Sequence, residues 1–356
     1  MASSTTTLTS TPDPSVFGET VTFTATVESV PPGAFTPTGT VDFVVDGGPP
    51  VTVALDPGGQ AVYTDASLSV GLHNVVANYS GDVNLDPSSG ADTQQVNTAS
   101  TTTTLVTSPN PSVCGETVTL TAQVTPVPPG AGTPTGNVTF IISDDGPPLT
   151  APVDGSGQAQ VTISDLTVGN HLVTASYTGD ANFSGSSSGV VTQTVNQAST
   201  TTAVTVTPDP SVCGQSVTVC ATVTANPPGS GTPTGTVTFS GLGGPDQTVP
   251  LDPTGQACTT VTTLDTGTVT ATYNGDLCFA GSVDTFAATV NEASTTTTVT
   301  ATPNPSVCGQ SVTVCATVVA DPPGSGTPTG TVTFSGLGGP DQTVALDPTG
   351  QACTTV

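Results

Sequence analysis

The sequence predicts an all-β molecule built from tandem seven-stranded Greek-key sandwiches. Three observations carry that expectation. The signature ASTTT begins at Ala99, Ala198 and Ala293, and a variant, ASSTTT, begins at Ala2, giving spacings of 97, 99 and 95 residues. A period this long makes each repeat a whole domain, too large for one turn of a solenoid. Within a repeat, apolar and hydroxyl residues alternate over short runs, the period of a half-buried strand. Clusters of Gly, Pro and Asp separate those runs and punctuate the chain as turns.

In repeat one the strands read in order. Strand A lies near Thr5–Ser10. Strand B, near Glu19–Glu28, alternates Val21, Phe23, Ala25 and Val27 with Thr22, Thr24 and Thr26. Strand C runs near Gly39–Val45, D near Val51–Leu55 and E near Gln60–Ala66. Strand F, near Leu72–Ser80, carries Val75, Ala77 and Tyr79 at one parity, and G lies near Asp92–Asn97. The turns PSVFG, PPGAFTPTG, DGGPP, LDPGG and SGD stand between them. No stretch has a helical period. About seven short strands in a repeat of this length point to two packed sheets.

The expected domains are residues 2–98, 99–197, 198–292 and 293–356, the fourth stopping within strand E. Repeats three and four differ at only six of 64 aligned positions, among them Asp209 against Asn304 and Pro250 against Ala345. A sandwich lacking F and G exposes an open edge. Continuation beyond Val356 is therefore expected, the alternative being two strands donated by a neighbouring subunit.

Composition excludes several partners. The chain has 26 acidic residues and no Lys or Arg, a formal charge of −26. Nothing can neutralise a phosphate backbone, so nucleic acid is not an expected partner. Anionic membrane surfaces are disfavoured for the same reason, and no segment is long and apolar enough to span a bilayer. The chain opens MASSTTT, without the basic and apolar regions of a secretory signal. Removal of a leader and export by another route both remain open. Eight cysteines favour an oxidising destination.

The segments PTGTVTF at Pro233–Phe239, LDPTGQA at Leu251–Ala257 and ATYNGD at Ala271–Asp276 resemble the bacterial immunoglobulin-like repeat domains of surface proteins. The likeness covers the whole chain. It implies an immunoglobulin-like sandwich on an extracellular or surface-exposed stalk, and it implies no activity. The chain has no Trp, so the antibody-type core disulfide and its Trp partner are absent.

No catalytic constellation, metal site or cofactor is expected. His73 and His171 stand near the start of strand F, with Thr268 at that place in repeat three, and a turn or surface role is expected for them. Tyr79, Tyr177 and Tyr273 have inward parity and read as core. The pairs Gly81-Asp82, Gly179-Asp180 and Gly275-Asp276 recur in each complete F–G loop, where Asp supports a turn. The sharper alternative is a Ca²⁺ clip.

The cysteines fall into two classes. In strand B of repeat three Val217 and Val219 point inward, so Cys220 faces out; in strand E Ala257 points inward, so Cys258 faces out. B and E are neighbours in an immunoglobulin-like sheet, so Cys220 should pair with Cys258, and Cys315 with Cys353. Repeats one and two carry Thr24 with Val62 and Thr121 with Gln160 there, so both members come and go together. Cys114, Cys213 and Cys308 sit in A–B turns, where repeat one has Phe17; Cys278 sits in the F–G loop of repeat three. In this fold the A–B turn faces the next domain and the F–G loop the previous one, so Cys114 is expected to meet Cys278. Cys213 and Cys308 would await F–G cysteines beyond the chain end. Free thiols or links between molecules are the alternative.

Linkers VNTAS, VNQAS and VNEAS leave almost no flexible residues between G and the next A, which predicts an extended rod rising about 40 Å per domain. The function expected is a structural stalk or filament subunit of an extracellular, cell-surface or spore-surface appendage. Its partners would be neighbouring copies or other appendage subunits. The alternative is an adhesin whose repeats bind a surface receptor or glycan.

Overall fold

Hydroxyl-apolar alternation becomes two sheets in each complete repeat. The computed structural model describes residues 1–144 and 146–356. Among them every regular element is a strand, and no helix is long and apolar enough to cross a membrane. By packing, the chain divides into two units, Met1–Ser112 with Thr117–Val195 and Val113–Glu116 with Asn196–Val356. Each is described by itself.

In the first unit, repeat one forms A (Ser4–Thr11), B (Val21–Ser29), C (Thr40–Val45), D (Val51–Ala54), E (Gln60–Asp65), F (Gly71–Tyr79) and G (Ser88–Asn97). One sheet has the order A-B-E and the other G-F-C-D. Strands with one wet face bury every second residue: Val21, Phe23, Ala25 and Val27 of B are each at most 1% exposed, with Thr22, Thr24 and Thr26 between them. They meet Val41 and Phe43 of C and Val75, Ala77 and Tyr79 of F. Repeat two repeats this with B (Val118–Pro126), C (Asn137–Ile142), E (Gln158–Ile163) and F (Gly169–Tyr177) around Leu120, Phe140 and Tyr177.

An eighth strand, Ser15–Val16, was not expected. It pairs parallel with the end of G, Ser15 opposite Val96 and Val16 opposite Asn97. Two residues are too short to show a period, and the PSV-x-G sequence reads as a turn.

In the second unit, repeat three has A (Thr200–Thr207), B (Val217–Ala225), C (Thr236–Ser240), E (Gln256–Val261), F (Gly267–Tyr273) and G (Ser282–Ala288). Repeat four has A (Thr295–Thr302), B (Thr313–Ala320) and E (Gln351–Thr355) in one sheet, with Thr331–Phe334 paired to Gln342–Ala345. Val299 on its strand A is 63% exposed, whereas the equivalent Val204 of repeat three is 7% exposed.

Candidate functional site

The B and E strands of repeats three and four place two cystines on the outer face of the A-B-E sheet. Antiparallel register sets Cys220 directly opposite Cys258, between the inward Val219 and Ala221 on one strand and next to the inward Ala257 on the other. The pair is disulfide-bonded at a Cα separation of 4.1 Å, the spacing of the closer kind of antiparallel pair, about 4.5 Å. Cys315 and Cys353 are bonded in the same register at 4.1 Å. Repeats one and two carry Thr24 opposite Val62 and Thr121 opposite Gln160 at these places.

The A–B turn is the second feature. Its Gly adopts the left-handed conformation (Gly18, φ +79°) that a side chain disfavours. The acid or amide after it folds back, Glu19 accepting from the Val16 N–H at 3.0 Å and Gln215 from Val212 at 2.9 Å. Within the first unit this turn meets the B–C loop of repeat two: Ala131 N–H donates to the Phe17 carbonyl at 3.2 Å. A Cβ at Gly18 would collide with the Ala131 backbone, so glycine serves the close approach as well as the turn. The Phe17 ring stands edge-on to Phe183, centroids 5.5 Å apart.

Within the second unit the segment Val113–Glu116 packs against repeat three in the same way. The Ser230 hydroxyl donates to the Gly115 carbonyl at 2.6 Å, and Cys114 is bonded to Cys278 with Cα atoms 5.6 Å apart. The turn of repeat three meets repeat four likewise: Ser325 donates from its N–H to the Cys213 carbonyl at 3.2 Å and from its hydroxyl to the Gly214 carbonyl at 2.5 Å. Cys213 and Cys308 are exposed free thiols. The docking serines and alanine were not singled out in the sequence. The recurrent PPGAG and PPGSG loops were the available signal.

The F–G loop that carries Cys278 is built around one carboxylate. Asp276 accepts the N–H groups of Cys278 and Phe279 at 2.7 Å each, and the N–H and hydroxyl of Thr234 at 2.9 and 2.5 Å. Burial raises its pKa, but those donors outweigh it and hold the carboxyl below its usual range. Asp82 and Asp180 are held in the same way. Both oxygens of each are thus engaged, one within the F–G loop and the other by a threonine just before strand C. Among the described residues no three His, Cys, Asp or Glu side chains gather as a metal site.

The histidines differ from expectation. His73 and His171 are 6% and 5% exposed, inside their repeats and off the surface. Both share the inward parity of the Val, Ala and Tyr that follow on F. Register sets them opposite the buried Gln94 and Gln193, and the corresponding pair in repeat three is Gly267 opposite Ala288, not Thr268. Leu242, 1% exposed, joins the core there.

The family model for the bacterial Ig-like domain (group 3) matches residues 8–98, 105–196 and 204–291. No curated protein matches the sequence. Among solved structures, the tetra-tandem repeat in the extending region of a large adhesion protein is 19% identical, with 99% of this chain and 90% of that one covered at a TM-score of 0.32. Invasin, a bacterial integrin-binding protein, is 15% identical over 88% of this chain and 76% of that one, TM-score 0.45. The Escherichia coli adhesin FdeC is 14% identical over 80% and 96%, TM-score 0.25. With the family model covering well over half of its residues, this chain belongs to the bacterial Ig-like domain (group 3) family.

Proposed function

We propose that the chain is a load-bearing segment of an exported or surface-displayed stalk or filament, with repeats 2–98, 99–197, 198–292 and 293–356 as its successive units. The observation that carries this reading is the Cys114–Cys278 bond, which joins residues 164 apart in sequence. It ties the A–B turn of repeat two to the F–G loop of repeat three beside the peptide link at Asn196–Ala198, so tension would be shared by two covalent paths. Oxidised cystines suit a location outside the reducing cytosol. Its role is mechanical, and its partners are further copies or other appendage subunits.

Small-angle scattering of the oxidised chain tests the reading. An extended particle whose maximum dimension grows by about 40 Å per repeat supports it. A compact globule, or repeats that reorient freely, overturns it.

A second reading, adhesion, is favoured by one difference between siblings. Ile141 and Leu172 stand 48% and 51% exposed on the outer sheet of repeat two, where repeat three has Ser240 and Thr268. Apolar side chains on such a face can contact a partner. Loss of cell or glycan binding by an Ile141→Ser/Leu172→Thr variant would establish that reading.

A further inference from the structure

Repeat one contains an ion pair, the single one among the described residues of a chain that has no Lys or Arg. His73 lies on F, nearly buried. Its Nδ1 is 2.7 Å from Oδ2 of Asp46, in the turn after C, and its Nε2 is 2.7 Å from the carbonyl of Ser69, in the loop before F. The other oxygen of Asp46 accepts the Asn74 N–H at 2.8 Å, and the Asp46 N–H donates to the Asn74 carbonyl at 2.8 Å. Asp46 itself adopts a left-handed φ of +48°, which an isolated Asp visits only at some cost. One imidazole thus joins the turn after C, the loop before F and the F strand.

The contacts dictate a protonation state. A carbonyl and a carboxylate both accept, and a neutral imidazole has only one N–H. Two such contacts require the imidazolium, with both nitrogens donating. We propose that His73 is a proton-operated latch, which in its cationic form fastens the C–D turn to the E–F loop of repeat one and on losing its proton lets that corner open. The proton leaves Nδ1 or Nε2 for water, and one of the two 2.7 Å contacts then has no hydrogen. Of the other groups near the ring, the one charged group acts in the same sense. Asp65, at the end of E, adds negative charge and is itself bonded to the Tyr63 hydroxyl at 3.0 Å. Gln94, opposite on G, is uncharged and donates to Pro12 and Ser15 at 3.0 Å.

The direction follows. Burial lowers the pKa of His73, but the Ser69 carbonyl, the Asp46 bond and both carboxylates outweigh it and raise it above the ordinary value of 6.5. A histidine raised on folding stabilises fully below its unfolded pKa, and the stabilisation is lost as pH rises through the folded one. The latch is therefore closed below the ordinary histidine value and opens as pH rises through the raised one. Repeat three, with Gly267 and Leu242, has no such group.

The test uses the full oxidised chain. Imidazole nitrogen NMR should show His73 doubly protonated at pH 6.5 and titrating above 6.5. Amide exchange at Asp46–Gly48 and Ser69–Asn74, corrected for its intrinsic pH dependence, should accelerate through that titration, about tenfold for each unit by which the pKa is raised. The corresponding amides of repeat three serve as the internal control. Asp46→Asn, an exposed change expected to fold, should lower the midpoint and flatten the exchange response. A neutral His73 at pH 6.5, a midpoint at or below 6.5, or an exchange response equal in Asp46→Asn or in repeat three would each overturn the latch.

Discussion

The turn after strand A is used in two chemically different ways on one backbone frame. In the first unit Phe17 lies edge-on to Phe183, and a single N–H from Ala131 reaches its carbonyl. In the second unit the residue at the same place in the next repeat, Cys114, is bonded to Cys278, whose neighbour Phe279 is the counterpart of Phe183. An edge-to-face pair adds about 0.5–1.5 kcal/mol beyond the area it buries. A cystine, by contrast, does not release its partner at all while oxidised. The frame of PSV-x-G turn and PPG loop therefore sets the approach, and the residue at x sets how firmly it is held.

The largest expected effect that sharpens this comparison lies inside repeat three. Replacing Cys220 and Cys258 by Ala opens a bridge of sequence separation 38 and should cost about 3–4 kcal/mol. Calorimetry or denaturant titration should show one transition weakened, with repeats one and two unmoved. Loss in all repeats at once would break the picture of separately stabilised domains.

Next in size is a transplant. Phe17→Cys with Asn182→Cys places thiols at the positions of Cys114 and Cys278, and mass spectrometry of the oxidised protein should find the new bridge formed intramolecularly. Free thiols at both positions would mean that the two frames are not equivalent. Smaller still, Phe17→Ala should cost about 1–2 kcal/mol at the contact with repeat two, read from amide exchange around Phe183 and Ala131.

The smallest effect concerns the F–G carboxylates. Their pKa values are lowered on folding, so the stability they add is present above the ordinary carboxylate value near 4 and is lost as pH falls below it. Asp276→Asn should cost about 0.5–1 kcal/mol at pH 7, a difference that should shrink as pH falls from the ordinary carboxylate value through the lowered one. An undiminished difference across that range would show that charge is irrelevant to the loop.

Most of the architecture was legible because burial in a two-layer sandwich repeats every second residue. Val21 to Val27 on B and Val75 to Tyr79 on F announce their faces directly. The same parity, carried two residues back from Val75, marks His73 as inward; its polarity suggested surface instead. The cysteine positions could be reasoned from parity and from their joint presence or absence. The Ser15–Val16 strand could not, since its pairing is with residues about 80 positions away and leaves no local period. Nor could Leu242, which lies in a glycine-rich turn where nothing alternates. The docking of Ser230 and Ser325 depends on backbone carbonyls of another repeat, which a linear reading does not place.

The exchange of His73 and Gln94 for Gly267 and Ala288, with Leu242 in the core of repeat three, bears on how such chains diversify. Three positions on three separate segments differ together between repeats one and three. Losing only the histidine leaves Asp46 and the Ser69 carbonyl without their partner, and losing only the glutamine leaves Ser15 and the Pro12 carbonyl without theirs. Stepwise point mutation would have to cross those intermediates. Copying a whole repeat does not, and repeats three and four share the SGLGG turn. Duplication thus preserves a coupled interior that single substitutions would have difficulty reaching.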